Sequence, residues 1–172
     1  MIRDDEAATE RRITCSVNGE RITATVPVRQ HLVDFLREEL GLTGSHIGCE
    51  HGVCGACTLR LDGVPVRGCL ILAVQADGAA VETIEGLTES GEIAELQRIF
   101  VARNALQCGF CTPGMLITAA ELLRRPRPMT RAAIREHVAG NYCRCTGYQA
   151  IVDAIAMAIE ARLTAETGGG DR

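Results

Sequence analysis

Nine cysteines dominate the chemistry available to this chain of 172 residues, and eight of them fall into two groups. The first is Cys49-x4-Cys54-x2-Cys57-x11-Cys69. Three thiolates from one tight loop and a fourth from further on make the plant-type spacing for a [2Fe–2S] cluster. The backbone must wrap closely round such a core. That predicts positive φ or close approach at Gly48, Gly52 and Gly55, and loop N–H groups that donate to the sulfurs. Zinc and disulfides are the alternatives. Zinc ribbons use two CxxC knuckles, whereas here one knuckle carries an extra cysteine upstream.

The second group is Cys108-x2-Cys111 and Cys143-x-Cys145. The CxC pair suits a mutual disulfide poorly, because so small a ring is strained. Taken alone, this quartet fits zinc almost as well as iron; beside the first quartet, iron–sulfur is favoured. Cys15 lies in an alternating strand pattern and reads as a buried structural thiol. His46 and His51 flank the first quartet. A Rieske-type role would need histidines in place of two cysteines, and none is missing, so both read as surface groups or supports. His31 and His137 fall on predicted helices with no chemical role. The run Arg124–Arg127 reads as a solvated loop. No acid/base pair, nucleophile or cofactor loop accompanies the cysteines.

The elements that position these groups change character along the chain. Ile13–Val17, the Asn18-Gly19 turn and Arg21–Val26 read as a hairpin. Val33, Leu36 and Leu40 mark a short amphipathic helix ending near Gly41. Residues 43–57 form a loop. Thr58–Leu61, Asp62-Gly63 and Val64–Val66 give a second hairpin, and Val81–Ile84 a last strand. Together these predict a small mixed sheet with one helix packed on it. Gly86–Gly91 is the expected boundary. Beyond it come four helical stripes: Ile93, Leu96, Phe100; then Met115, Ala119, Leu122, with Thr112 as N-cap and Pro113 at the first helical position; then a helix capped by Thr130 and stopped at Gly140-Asn141; then Ile151, Ile155, Ile159, Leu163. The CxxC precedes the second helix and the CxC lies between the third and fourth. Thiolates there gain from the positive ends of helices.

Composition narrows the classes. Hydrophobic residues are 47% and aromatics 3%, so the core is aliphatic. A net charge of −4 argues against a nucleic-acid footprint. The longest apolar candidate, Ile151–Ile159, is too short for a bilayer and contains Asp153. The charged N-terminus shows no secretory pattern. The expectation is a soluble cytoplasmic chain, in a compartment where clustered cysteines bind metal rather than pair.

Three segments carry a resemblance: Gly48-Cys-Glu-His-Gly-Val-Cys-Gly-Ala-Cys-Thr58, Gln107-Cys-Gly-Phe-Cys-Thr-Pro-Gly114 and Asn141-Tyr-Cys-Arg-Cys-Thr-Gly-Tyr148. They resemble the xanthine oxidase family of molybdenum hydroxylases, and within it the separate small iron–sulfur subunit of bacterial members such as carbon monoxide dehydrogenase. The departures are Leu59-Arg60, where the family usually has aliphatic residues, and Tyr142, where Leu or Ile is common. The resemblance implies an α+β chain: a β-grasp plant-type [2Fe–2S] ferredoxin domain over residues 12–86 and an all-α four-helix [2Fe–2S]-binding domain over 91–164; the polar ends, 1–11 and 165–172, read as flexible tails. It implies a large partner holding molybdopterin cytosine dinucleotide and a medium partner holding FAD, in a heterotrimer or dimer of heterotrimers. Gln107 and Cys145 would lie near the pterin, and Glu50, His51 and Gly52 would face the flavin. Electrons would run from molybdenum through the helical-domain cluster, then the ferredoxin-domain cluster, to FAD. The alternatives are a free-standing two-cluster ferredoxin-like carrier, for which the helical domain is superfluous, and a zinc-stabilised interaction module.

Overall fold

A computed structural model describes residues 9–168. The tail expectations for residues 1–8 and 169–172 lie outside the described residues. The chain opens with β1 (Glu10–Val17) and β2 (Glu20–Pro27), an antiparallel hairpin in which Val17 pairs with Glu20 across the Asn18-Gly19 turn. The second hairpin is β3 (Thr58–Leu61) and β4 (Val64–Arg67). β5 (Ala80–Glu82) lies between the hairpins, parallel to β1 and antiparallel to β3, giving the order β2-β1-β5-β3-β4. This is the mixed sheet expected. Ile13, Cys15, Val17, Leu59 and Val81 turn inward and bury against Ala73 and Ala76 of a 3-10 turn over Ala73–Ala76, and against Leu32, Phe35 and Leu36 of the helical segment expected there. That segment starts as α1 (Leu32–Asp34) and widens into a π-helical turn over Phe35–Glu39.

Four differences from expectation have local causes. Strand β1 begins at Glu10, so residues 10–11 pair in the sheet rather than belonging to a tail. The expected turn-rich boundary holds a helix, α2 (Ile84–Glu89), which buries Ile84 and Leu87 in the second core. The helix α4 (Thr112–Arg124) has Cys111, not Thr112, at its N-cap. The last helix, α6 (Gln149–Gly168), runs past Leu163, so residues 165–168 are helical.

The second core is built by α2, α3 (Ala94–Ala102), α4, α5 (Arg131–His137) and α6 from Leu, Ile and Ala, with Phe100 and Met115. The Thr130 hydroxyl accepts from the Ala133 N–H and caps α5 as expected.

One seam joins the two cores, and periodicity explains it. Along β3, Leu59 faces the sheet core while Thr58 and Arg60 face the other way. On α4, Gly114, Thr118 and Glu121 fall at i, i+4 and i+7 and so share a face. The two rows meet. Gly114 lies against the Gly55 carbonyl so closely that a Cβ there would collide with it. The Thr118 hydroxyl donates to Asn141 Oδ1 (2.9 Å), whose amide donates to Gly55 O (3.1 Å) and to the Thr58 hydroxyl (3.3 Å). Glu121 meets Arg60, and Arg124 donates to the Gly63 carbonyl (2.8 Å).

Candidate metal centres

The first quartet is held by a loop pinned at several points. Arg37 donates to the carbonyls of Thr43 (2.6 Å) and Ser45 (2.8 Å), and Glu85 accepts from the Gly44 N–H (2.7 Å). Gly52 and Gly55 take φ of 74° and 75°, the left-handed region expected of them. Gly48 has no such φ, but a Cβ there would sit 3.0 Å from Cys54 Sγ, so it meets the close-approach expectation. Cys69 arrives from a 3-10 turn after β4 and buries with Cys57 against Val33.

The thiols meet in twos. Cys54 lies beside Cys49, and Cys69 beside Cys57, near enough to act on its neighbour's ionisation. The Cys49 sulfur accepts N–H bonds from Cys54 and His51, each 3.4 Å. Those donors, Cys54 first, bring the thiol down to about 6, so this sulfur is poised as a thiolate. Burial pushes Cys57 the other way, to about 11. A bound metal ion overrides that cost, since a coordinating thiol is deprotonated outright.

The second quartet comes from helix ends. Cys108 and Cys111 flank a turn at Gly109 just before α4, and Cys143 and Cys145 lie between α5 and α6. The sulfurs of Cys145 and Cys108 stand 3.6 Å apart, and Cys143 is near enough to Cys111 to act on its ionisation. Burial pushes Cys111 up to about 12. Burial also opposes ionisation of Cys143, but the Thr146 hydroxyl (3.1 Å) and the nearby N–H groups outweigh it, and the thiol lies below its ordinary value.

Among the described residues, no three His, Cys, Asp or Glu side chains gather as a ring for one metal ion. The pairing of thiols is instead what a dinuclear cluster asks for: two irons, two protein sulfurs on each, and sulfides between. The donor set fits that group at both sites. Cys49 with Cys54, Cys57 with Cys69, Cys108 with Cys145, and Cys111 with Cys143 are the pairs that could hold it.

Residues 15–84 match the family model described as a 2Fe-2S iron-sulfur cluster binding domain, and residues 83–156 the one described as a [2Fe-2S] binding domain. The chain is 51% identical to subunit gamma of caffeine dehydrogenase from Pseudomonas sp. (strain CBB1), over 83% of this chain and 87% of that one. It is 41% identical to the xanthine dehydrogenase iron–sulfur-binding subunit of Escherichia coli O157:H7, over 83% and 91%. The crystal structure of quinoline 2-oxidoreductase from Pseudomonas putida 86 superposes with a TM-score of 0.83 at 49% identity, over 92% of this chain and 99% of that chain. The chain belongs to the small iron–sulfur subunits of the molybdenum hydroxylases. It carries two [2Fe–2S]-binding domains and serves an oxidoreductase by electron transfer.

In this iron–sulfur subunit the remaining expected residues separate by exposure. Gln107 is exposed and donates to the Cys145 carbonyl (3.2 Å), so those two do come together, beside exposed Cys108. Glu50 and His51 are exposed, Gly52 half-buried, with the exposed apolar side chains of Val53 and Leu70 next to them. The His51 ring nitrogen bonds the Cys49 carbonyl. His46 does more than sit on the surface: it stacks on Phe110 (4.6 Å between centroids) and bonds the Phe110 carbonyl (2.8 Å), tying one cysteine loop to the other. Cys15 is buried as expected, and burial, then Asp77, raises its thiol.

Sequence reasoning missed the bridge between the quartets. The Cys54 carbonyl accepts from the Tyr142 N–H at 2.8 Å, and Tyr142 immediately precedes Cys143. One hydrogen bond therefore completes a backbone path from one quartet to the other. It also missed Asn141, read only as a helix stop, and Tyr148, whose hydroxyl accepts from the Cys143 N–H (2.9 Å).

Proposed function

We propose that this subunit relays electrons between two partners of a molybdenum hydroxylase, entering at Gln107, Cys108 and Cys145 and leaving by the loop Glu50–Val53. Cys49, Cys54, Cys57 and Cys69 hold one [2Fe–2S] cluster, and Cys108, Cys111, Cys143 and Cys145 the other. Each cluster, when bound, supplies a one-electron couple. The chain's own residues do the rest. The Cys54 and His51 N–H groups stabilise negative charge on the first site, and the Thr146 hydroxyl does so on the second. The Cys54 C=O···H–N Tyr142 bond links the two, and this bridge is the observation that carries the reading.

The two ends have the character of docking faces. Val53 and Leu70 are exposed apolar groups at the first, Phe110 and Tyr142 at the second. The partners proposed are a large subunit with molybdopterin cytosine dinucleotide, facing Gln107 and Cys145, and a medium subunit with FAD, facing Glu50, His51 and Gly52. The assembly is a heterotrimer or a dimer of heterotrimers. Two domains divide the chain, a sheet domain from β1 to β5 and a helical domain from α2 to α6. The setting is cytoplasmic, where thiols stay reduced and available to bind the clusters; among the described residues no helix is long and apolar enough to cross a membrane. Caffeine, xanthine and quinoline in the relatives' names are nitrogen heterocycles, so that class is the first to assay.

Co-purification from the native host tests the reading. The chain is expected to elute with a molybdenum subunit and a flavin subunit, and both iron–sulfur EPR signals to develop when substrate is added to the complex. A chain that elutes alone, with signals indifferent to substrate, would overturn it.

A further inference from the structure

Arg60, a charged residue in a strand, is one of the largest fully buried side chains, 1% exposed. Its guanidinium is held by carboxylates from the other side of the seam. Nη1 and Nη2 donate to the two oxygens of Glu92 (3.1 and 2.8 Å), a forked geometry, and Nε donates to Glu121 (3.0 Å). Glu82, from β5 of its own sheet, lies at 3.9 Å. Burial works against the charge on Arg60, but the bond to Glu92 and the charges of Glu121 and Glu82 outweigh it.

The elements carrying this network also carry the cysteines. Arg60 is three residues beyond Cys57 on β3, and Glu121 is ten residues beyond Cys111 on α4, roughly 15 Å along a straight helix. Close to the cysteines the seam is pinned by Asn141 and the Cys54–Tyr142 bond. Pins gathered in one place leave a pivot. Arg60 adds a buried attachment roughly 7 Å further along the strand, between those pins and the exposed Arg124–Gly63 bond, and separated points fix an orientation that one does not.

We propose that Arg60 is a positioning residue for electron transfer between the two cluster sites, latching the sheet domain to the helical domain through Glu92 and Glu121 so that the gap between quartets is fixed. Arg60 has this role only if both clusters are bound as proposed above. A buried pair broken on one side leaves a stranded charge and endangers folding. The test therefore uses the full chain, loaded with both clusters, as Arg60→Leu combined with Glu92→Gln and Glu121→Gln, and separately as Arg60→Lys, which keeps the charge and loses the fork. The readouts are iron and sulfide content, the magnetic splitting between the two reduced clusters, and the rate of electron exchange between them.

The triple variant should keep full iron, full sulfide and both signals. Its splitting should shrink or broaden, and its exchange rate fall by about tenfold or more, the scale on which ångström misplacements act. Arg60→Lys should move the splitting the same way, by less. Wild-type splitting and rate in both loaded variants would overturn the proposal, leaving Arg60 a stability element. If the wild-type chain itself shows no two interacting signals, the relay reading fails first.

Discussion

The two quartets meet their protein in different ways. Cys57 and Cys69 are each 2% exposed and belong to a packed cluster under the sheet, so half of the first site is part of a core. The second site hangs from helix ends, with Cys108 and Cys145 exposed and Cys111 and Cys143 half-buried. One site is built into a fold, and the other is offered at a surface. The lesson is about consequence: damage to the first site reaches stability, whereas damage to the second should stop at the site.

The largest contrast is therefore expected between Cys57→Ser and Cys108→Ser. Each should abolish one EPR signal and leave the other. Cys57→Ser should in addition destabilise the sheet domain by about 1–3 kcal/mol through its buried hydroxyl, while Cys108→Ser should keep a near-native unfolding midpoint. Equal midpoints would erase the contrast. Gly114→Ala probes the seam between the sites, since its Cβ would collide with the Gly55 carbonyl. A loss of about 1–3 kcal/mol in denaturant unfolding is expected from such overpacking, with both clusters retained.

Smaller still is the effect of Thr146→Val. It removes the hydroxyl that donates to Cys143 and so favours the oxidised site. Redox titration followed by EPR should show the second site's potential moved to a more negative value and the first unmoved. The smallest effect concerns pH. The bond from Arg60, with Arg124 and Arg162 also acting on it, holds the Glu92 carboxyl below its ordinary 4.5. A depressed carboxylate contributes stability that is complete above its unfolded value and lost as pH falls through its folded one. The midpoint advantage of wild type over Glu92→Gln should thus be flat at neutral pH and shrink below about 4.5. Only this pH-dependent part should be modest, because the Glu92 side chain is 36% exposed; the offset at neutral pH also carries the cost of leaving buried Arg60 short of a carboxylate.

The quartets, both hairpins and the four long helical stripes were legible because each is a local pattern: cysteine spacing, alternation, or a period of 3.6. What escaped was tertiary. Gly114, Thr118 and Glu121 share a helix face, but a glycine, a threonine and a glutamate read as turn and solvent residues until β3 is set against them. Arg60 in a strand looked like a departure, because its carboxylates lie 32 and 61 residues away. Helix α2 hid behind Gly86, Thr88 and Ser90, which suit a turn, and only burial of Ile84 and Leu87 makes it a helix. The Cys54–Tyr142 bridge is backbone to backbone and leaves no mark in residue type at all.

The central claim is that two separate [2Fe–2S] sites share this chain. The direct measurement is iron and acid-labile sulfide per chain, with EPR of the dithionite-reduced protein. Four irons, four sulfides and two distinct signals are expected, two of each atom from each domain, with Cys111→Ser removing one signal only. Zinc without sulfide, or the loss of both signals in that variant, would contradict it.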